Sequence, residues 1–182
     1  MSQRTSQPRL QRHQAGTTLV ESAAVVAVLA VVAGSAIPSF DQAVQRHRLE
    51  GAATQLETDI HFARSFAVAR NTPLRISFDN AAGCYVIHTG ASGQCSCSAD
   101  GTATCQGSAE PQRSVAVSSG SQLGLRSSVR SVLFDPLRGT STPTATIRLE
   151  SRNGMALHQV LNIMGRVRSC APNATVAGYP RC

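Results

Sequence analysis

The chain has 182 residues, enough for one modest domain once a terminal segment is set aside. Its formal charge is +7 and every Lys/Arg-type cation is an arginine, for which a genome-wide compositional bias is the simplest source. Aromatics make up 4% and tryptophan is absent, so the core must be built from Val, Leu, Ile and Ala, which argues against a large ligand-stacking pocket. Residues 1–16 carry Arg4, Arg9 and Arg12 and no acid, and the chain is then apolar from Thr17 to Ile37 except at Glu21. About 20 helical residues at 1.5 Å each match a hydrocarbon layer of roughly 30 Å, so this run is long enough to span a membrane. The basic flank predicts a cytoplasmic N-terminus and a periplasmic remainder. A secretory signal cut near Gly34-Ser35-Ala36 is the competing reading. Glu21 speaks against it, because a carboxylate inside an apolar run costs a few kcal/mol without a partner and a disposable signal has no use for one.

Beyond Pro38, the residues Leu49, Ala52, Ala53, Leu56, Ile60, Ala63 and Ala67 recur at steps of three and four among Arg, Glu and Gln, which predicts an amphipathic helix ending near Asn71, ahead of Pro73. Leu74, Ile76 and Phe78 alternate with Arg75, Ser77 and Asp79, the period of a half-buried strand. Further strands are predicted at 84–89, 113–118, 131–134, 145–150 and 156–163. Asn153-Gly154 reads as a turn between the last two. A plain two-residue turn would set Leu149 opposite His158 and Thr146 opposite Leu161, which sorts the faces poorly and predicts a bulge or a longer loop. Residues 90–112, rich in Gly, Ser, Ala and Cys, read as a long stapled loop. All six cysteines, Cys84, Cys95, Cys97, Cys105, Cys170 and Cys182, follow the apolar run, which fits disulfides in an oxidising compartment. A zinc site on the first four matches metal spacing poorly.

Gly16-Thr17-Thr18-Leu19-Val20-Glu21 resembles the type IV prepilin cleavage motif. That resemblance implies a prepilin peptidase that cuts between Gly16 and Thr17, methylates the new N-terminus, and leaves Glu21 as the assembly residue that pairs with the amine of a neighbouring subunit. Thr17 departs from the large apolar residue usual there. Pro38 matches the kink position of the family. The segment from Ala63 to Asn71 resembles the helix end of the GspH/FimT family of minor pilins and pseudopilins. Gly165-Arg166-Val167-Arg168, followed by Cys170 and Cys182, resembles the end of the FimT branch, which implies a Cys170–Cys182 disulfide. The implied fold is α+β and type IV pilin-like: a leader at 1–16, a membrane and assembly helix at 17–38, an amphipathic helix at 39–72, and a small antiparallel β-rich head at 73–182.

The five histidines are scattered, and neither a metal-binding helix motif, a phosphate loop nor a nucleophile elbow occurs, so the sequence calls for no enzyme, no metal and no cofactor. From Arg126 onward there are eight arginines against Asp135 and Glu150. A solvated strand face explains this balance as well as a ligand does; the FimT resemblance tips it toward DNA. On that reading Arg166 and Arg168 contact phosphates, Gly165 permits close approach, and Arg148 and Arg152 contribute from the preceding hairpin. The expected partners are the prepilin peptidase, other pilins or pseudopilins, the inner membrane, and duplex DNA bound without sequence preference. The alternative is a structural pseudopilin of a type II secretion system.

Overall fold

The computed structural model describes residues 18–118, 120, 122–173 and 176–182, the side chains of 35–39 excepted. Gly16 and Thr17 lie outside the described residues, as does the side chain of Pro38. The chain divides into two units, Met1–Phe40 and Asp41–Cys182, and one helix, α1 (Leu19–Arg70), runs through the boundary.

In the first unit Thr18 caps the helix, its hydroxyl accepting the amide of Glu21 at 3.3 Å. Glu21 thereby sits at the third helical position, where a carboxylate also suits the helix dipole. The apolar side chains from Leu19 to Val32 are exposed. Among the described residues no helix is long and apolar enough to cross a membrane; the described side chains of the apolar run stop at Gly34.

The second unit is built on the rest of α1. Leu49, Ala53, Leu56, Ile60, Ala63 and Ala67 form a fully buried stripe at steps of four and three, and its alanines let strands approach the helix closely. Ala52, expected in the same stripe, is half-buried at its edge. The helix ends where the spacing predicts, through a Schellman cap: Asn71 is left-handed at φ 49°, its amide reaches the Val68 carbonyl at 3.3 Å, and Thr72 reaches Ala67 at 3.1 Å.

Eleven strands follow: β1 (Leu74–Asp79), β2 (Cys84–His88), β3 (Cys95–Cys97), β4 (Ala103–Cys105), β5 (Pro111–Ala116), β6 (Leu123–Ser127), β7 (Ser131–Phe134), β8 (Ser141–Thr142), β9 (Ala145–Ser151), β10 (Ala156–Leu161) and β11 (Val167–Cys170). They form a five-stranded sheet in the order β5-β2-β1-β7-β8, a four-stranded sheet β11-β10-β9-β6, and the small ribbon β3-β4. All pairings between these strands are antiparallel. Sequence predicts six of them closely and misses β3, β4, β6, β8 and β11. The β9–β10 hairpin takes the longer turn: Gly154 is left-handed at φ 83°, Ser151 donates to Met155 at 2.8 Å, and the register becomes Leu149 opposite Leu157 and Ala145 opposite Leu161. That one-residue shift puts every leucine of the hairpin on the core side.

Both sheets bury one face in a common core with α1, including Tyr85, Phe134, Ile147, Leu149 and Leu157. Asp59 of the helix is fully buried and satisfied there. It accepts from the Tyr85 hydroxyl at 2.7 Å and from Gln55 at 3.1 Å, and it pairs with Arg113 of β5. Burial and the Asp59 hydrogen bond push the Tyr85 hydroxyl well above its ordinary range.

The two sheets differ on their outer faces. On the five-stranded sheet, the long stapled segment folds back as the β3–β4 ribbon, fixed by Cys84–Cys97 and Cys95–Cys105. Cys84, Val86, Cys95, Cys97 and Ala109 make a second small core, so all five residues of β2 are buried. His88 lies at this layer. Its Nδ1 donates to the Thr89 carbonyl at 2.7 Å, and its Nε2 shares a hydrogen bond with the Ser77 hydroxyl at 2.8 Å. Burial holds its pKa below the ordinary value against the pull of Thr89, and nearby Arg75 adds to the lowering.

Candidate nucleic-acid interface

The outer face of the four-stranded sheet is open along β6 and β9, while at β11 the disulfide-bonded Cys170, opposite His158, is buried. Along β6 and β9 burial alternates strictly, with Leu125, Ile147 and Leu149 inside and Arg126, Arg148 and Glu150 outside. The ladder sets Arg126 directly opposite Arg148, and Arg148 directly opposite His158 of β10. Arg168 of β11 stands opposite Val160, one step along the same face. At about 4.8 Å between strands the row crosses roughly 14 Å of sheet.

Like charges directly opposite on an antiparallel pair are destabilising. Here two arginines face each other beside a histidine, and Glu150, two residues along β9, is the acid nearest in register on that face. Among the described residues none of the side chains of Arg126, Arg148, Arg166 and Arg168 has a hydrogen-bond or ion-pair partner. The histidine registers this field. Its pKa is lowered by partial burial and then by Arg148, with Glu150 opposing.

Arg166 closes the turn between β10 and β11. The turn is built by Asn162, whose side-chain carbonyl accepts the amides of Met164 and Arg166 at 3.0 Å each. Its backbone exchanges bonds with Gly165 at 2.9 Å and Arg166 at 3.0 Å. Arg166 and Arg168 are both exposed and Val167 is half-buried between them, which is the alternation expected of an extended segment. Beyond β11, a Cys170–Cys182 disulfide closes the C-terminal loop.

Two expectations need correction. Gly165 is buried and offers no surface to a ligand. It is left-handed at φ 70°, and a Cβ there would meet Arg64 Cδ at 2.8 Å and the Gly139 carbonyl at 3.1 Å. Its lack of a side chain makes room for the helix, not for a phosphate. Arg152 lies in the β9–β10 turn, at the far end of the sheet from Arg166; the length of β10 separates them, roughly 17 Å at about 3.3 Å per residue. It does not join the cluster. Conversely, Arg126 belongs to the row, and the sequence hides it because β6 is short and interrupted by Gly124.

A long helix packed on antiparallel sheets is the pilin-like fold. Two crystal forms of the type IV minor pilin FimU from Pseudomonas aeruginosa share it, at 21% and 20% identity and TM-score 0.51, with 68% of this chain and 88% and 97% of theirs covered. The minor pseudopilin EpsH from the type 2 secretion system of Vibrio cholerae aligns at 11% identity and TM-score 0.49, covering 69% of this chain and 98% of its own. No curated protein matches in sequence. A family model described as type II transport protein GspH matches residues 52–165, more than half of the chain, and the chain belongs to that family. It is a pilin-like protein and not an enzyme. The match ends at Gly165, so Arg166, Arg168 and the C-terminal disulfide lie beyond it.

Proposed function

We propose that the chain is a minor pilin whose head binds duplex DNA without sequence preference through the open face of its C-terminal sheet. The observation that carries this reading is the row Arg126–Arg148–His158 with Arg168 beside it: cations placed opposite one another at a cost in folding stability, which a phosphate backbone relieves. Guanidinium donors match phosphate oxygens two at a time, and such contacts carry affinity and no sequence information. Tyr179, the aromatic nearest in sequence, is half-buried against the core, so no stacking platform favours single strands. On the same reading a prepilin peptidase cuts between Gly16 and Thr17, the helix at 17–38 anchors the protein in the inner membrane with its head in the periplasm, and Glu21 pairs with a neighbouring pilin during assembly. The basic leader and the acid inside the apolar run support this. The mature protein then starts at Thr17, which intact-mass measurement of membrane-extracted protein checks; a start near Ile37 contradicts it.

The test of DNA binding is titration with labelled duplex at several salt concentrations. Arg166→Gln with Arg168→Gln is expected to flatten the log–log salt slope by about 1.8 units, at roughly 0.9 per phosphate contact. A folded double variant that binds like the parent removes the reading. The second reading, a structural pseudopilin that contacts other pseudopilins in a type II secretion system, is favoured by the description of the matching family; it requires no affinity for DNA.

A further inference from the structure

The turn that presents Arg166 packs against a side chain of the helix. Arg64 leaves α1 two turns before its end and passes between two loops. Its Nε–H donates to the Gly139 carbonyl at 2.8 Å in the β7–β8 loop. Its Cδ lies 2.8 Å from where a Cβ on Gly165 would be. Gly139 is fitted to it as well: it is left-handed at φ 63°, and a Cβ there would meet Arg64 Nε at 3.3 Å and Val68 at 3.4 Å. The β8 strand completes the junction, since Ser141 donates its amide to Ile163 at 2.9 Å and its hydroxyl to the Asn162 carbonyl at 2.6 Å. Helix, β7–β8 loop and β10–β11 turn therefore meet at one guanidinium stem, and neither terminal nitrogen of Arg64 has a partner among the described residues.

We propose that Arg64 is a positioning residue for the Gly165–Arg168 segment: its Nε–H bond to Gly139 and the seating of its stem against Gly165 hold Arg166 and Arg168 in the geometry that meets phosphate. This inference rests on the DNA reading. A competing role, Arg64 as one more cation attracting DNA, makes opposite predictions for two substitutions. Arg64→Gln keeps an N–H donor the same number of bonds from the backbone as Nε but removes the charge. Arg64→Lys keeps the charge but puts a methylene where Nε–H stood, which leaves the Gly139 carbonyl without its donor.

The experiment uses the full chain in uncharged detergent, with labelled duplex DNA as the probe and amide exchange of residues 162–168 as the structural readout. Arg64→Gln is expected to retain parental exchange and affinity within a factor of about two. Arg64→Lys is expected to raise exchange in the segment and to lose about tenfold in affinity, the size of one lost charge-assisted contact. It is expected to cause no further loss when Arg166→Gln and Arg168→Gln are already present. The reverse ranking, with Lys binding like the parent and Gln tenfold weaker, overturns the proposal in favour of charge alone. Parental exchange in Arg64→Lys also overturns it. Should Arg64→Lys fail to fold, Arg64→Gln still decides, because tenfold weaker binding with parental exchange contradicts positioning. A failure of the DNA reading is seen separately, in an Arg166→Gln, Arg168→Gln variant that binds like the parent with Arg64 untouched, and it overturns this proposal too.

Discussion

The two sheets of the head share one core and treat their outer faces in opposite ways. The five-stranded sheet is roofed by a disulfide-held ribbon, so β2 is buried throughout and carries a cysteine, a valine and a histidine beneath the ribbon. Among the described residues no such ribbon covers β6 and β9 of the four-stranded sheet, and their outward positions hold arginines without partners. On the proposed reading, stability and recognition are divided between the sheets. Changes to the roofed sheet should lower stability and spare binding; changes to the open face should do the reverse.

The largest effect is expected at the ion pair that ties helix to roofed sheet. Arg113→Ala leaves the fully buried Asp59 without its partly exposed cation, and a buried charge left uncompensated costs about 3–5 kcal/mol. The lower end applies because Tyr85 and Gln55 still donate to the carboxylate. Chemical denaturation measures this, and an unchanged midpoint contradicts it. Next comes the roof itself. Removing Cys84–Cys97 by paired alanines opens a loop with a sequence separation of 13, worth about 3 kcal/mol by chain entropy. The duplex affinity of the folded variant should stay parental. Gly165→Ala ranks third: a left-handed alanine costs about 1–2 kcal/mol from the backbone alone, and the displaced turn should weaken DNA binding as well.

The smallest effects are those of pH. His88 has a folded pKa below its unfolded value, so the unfolded chain takes up the proton first. Its contribution is fully present above the unfolded value of roughly 6.5 and is lost as pH falls through the lower folded value. Melting temperature should drop over that window in the parent and drop less in a folded His88→Gln variant. His158, also lowered, has the opposite meaning for binding. A phosphate beside it favours the imidazolium, so duplex affinity should rise as pH falls into the range where the folded His158 takes up its proton, and His158→Gln should remove that rise.

Local pattern carried the helix stripe, the cap before Pro73 and the alternating strands β1, β7, β9 and β10, because each is set by neighbours a few residues apart. It failed where the partner is distant. The run Leu123-Gly124-Leu125-Arg126-Ser127 alternates, but it is short, contains a glycine and sits among serines, so only pairing with β9 makes it a strand; Arg126 was lost with it. The ribbon strands β3 and β4 have three residues each and exist because Cys95 and Cys105 face each other across the ladder. Gly165 was legible as a position needing no side chain, but what fills the space is Arg64, about a hundred residues earlier in the sequence, and sequence spacing does not encode that.

The central claim is that the open face binds DNA by its geometry and not through net charge alone. The most direct test compares two triple variants of equal charge by duplex titration across salt: Arg126→Gln, Arg148→Gln, Arg168→Gln on the face, and Arg48→Gln, Arg70→Gln, Arg130→Gln at exposed positions elsewhere. The face triple is expected to flatten the log–log salt slope by about 2.7 units, at roughly 0.9 per contact, and the control triple to leave it close to parental. Equal losses from the two triples, or none from either, would contradict the account.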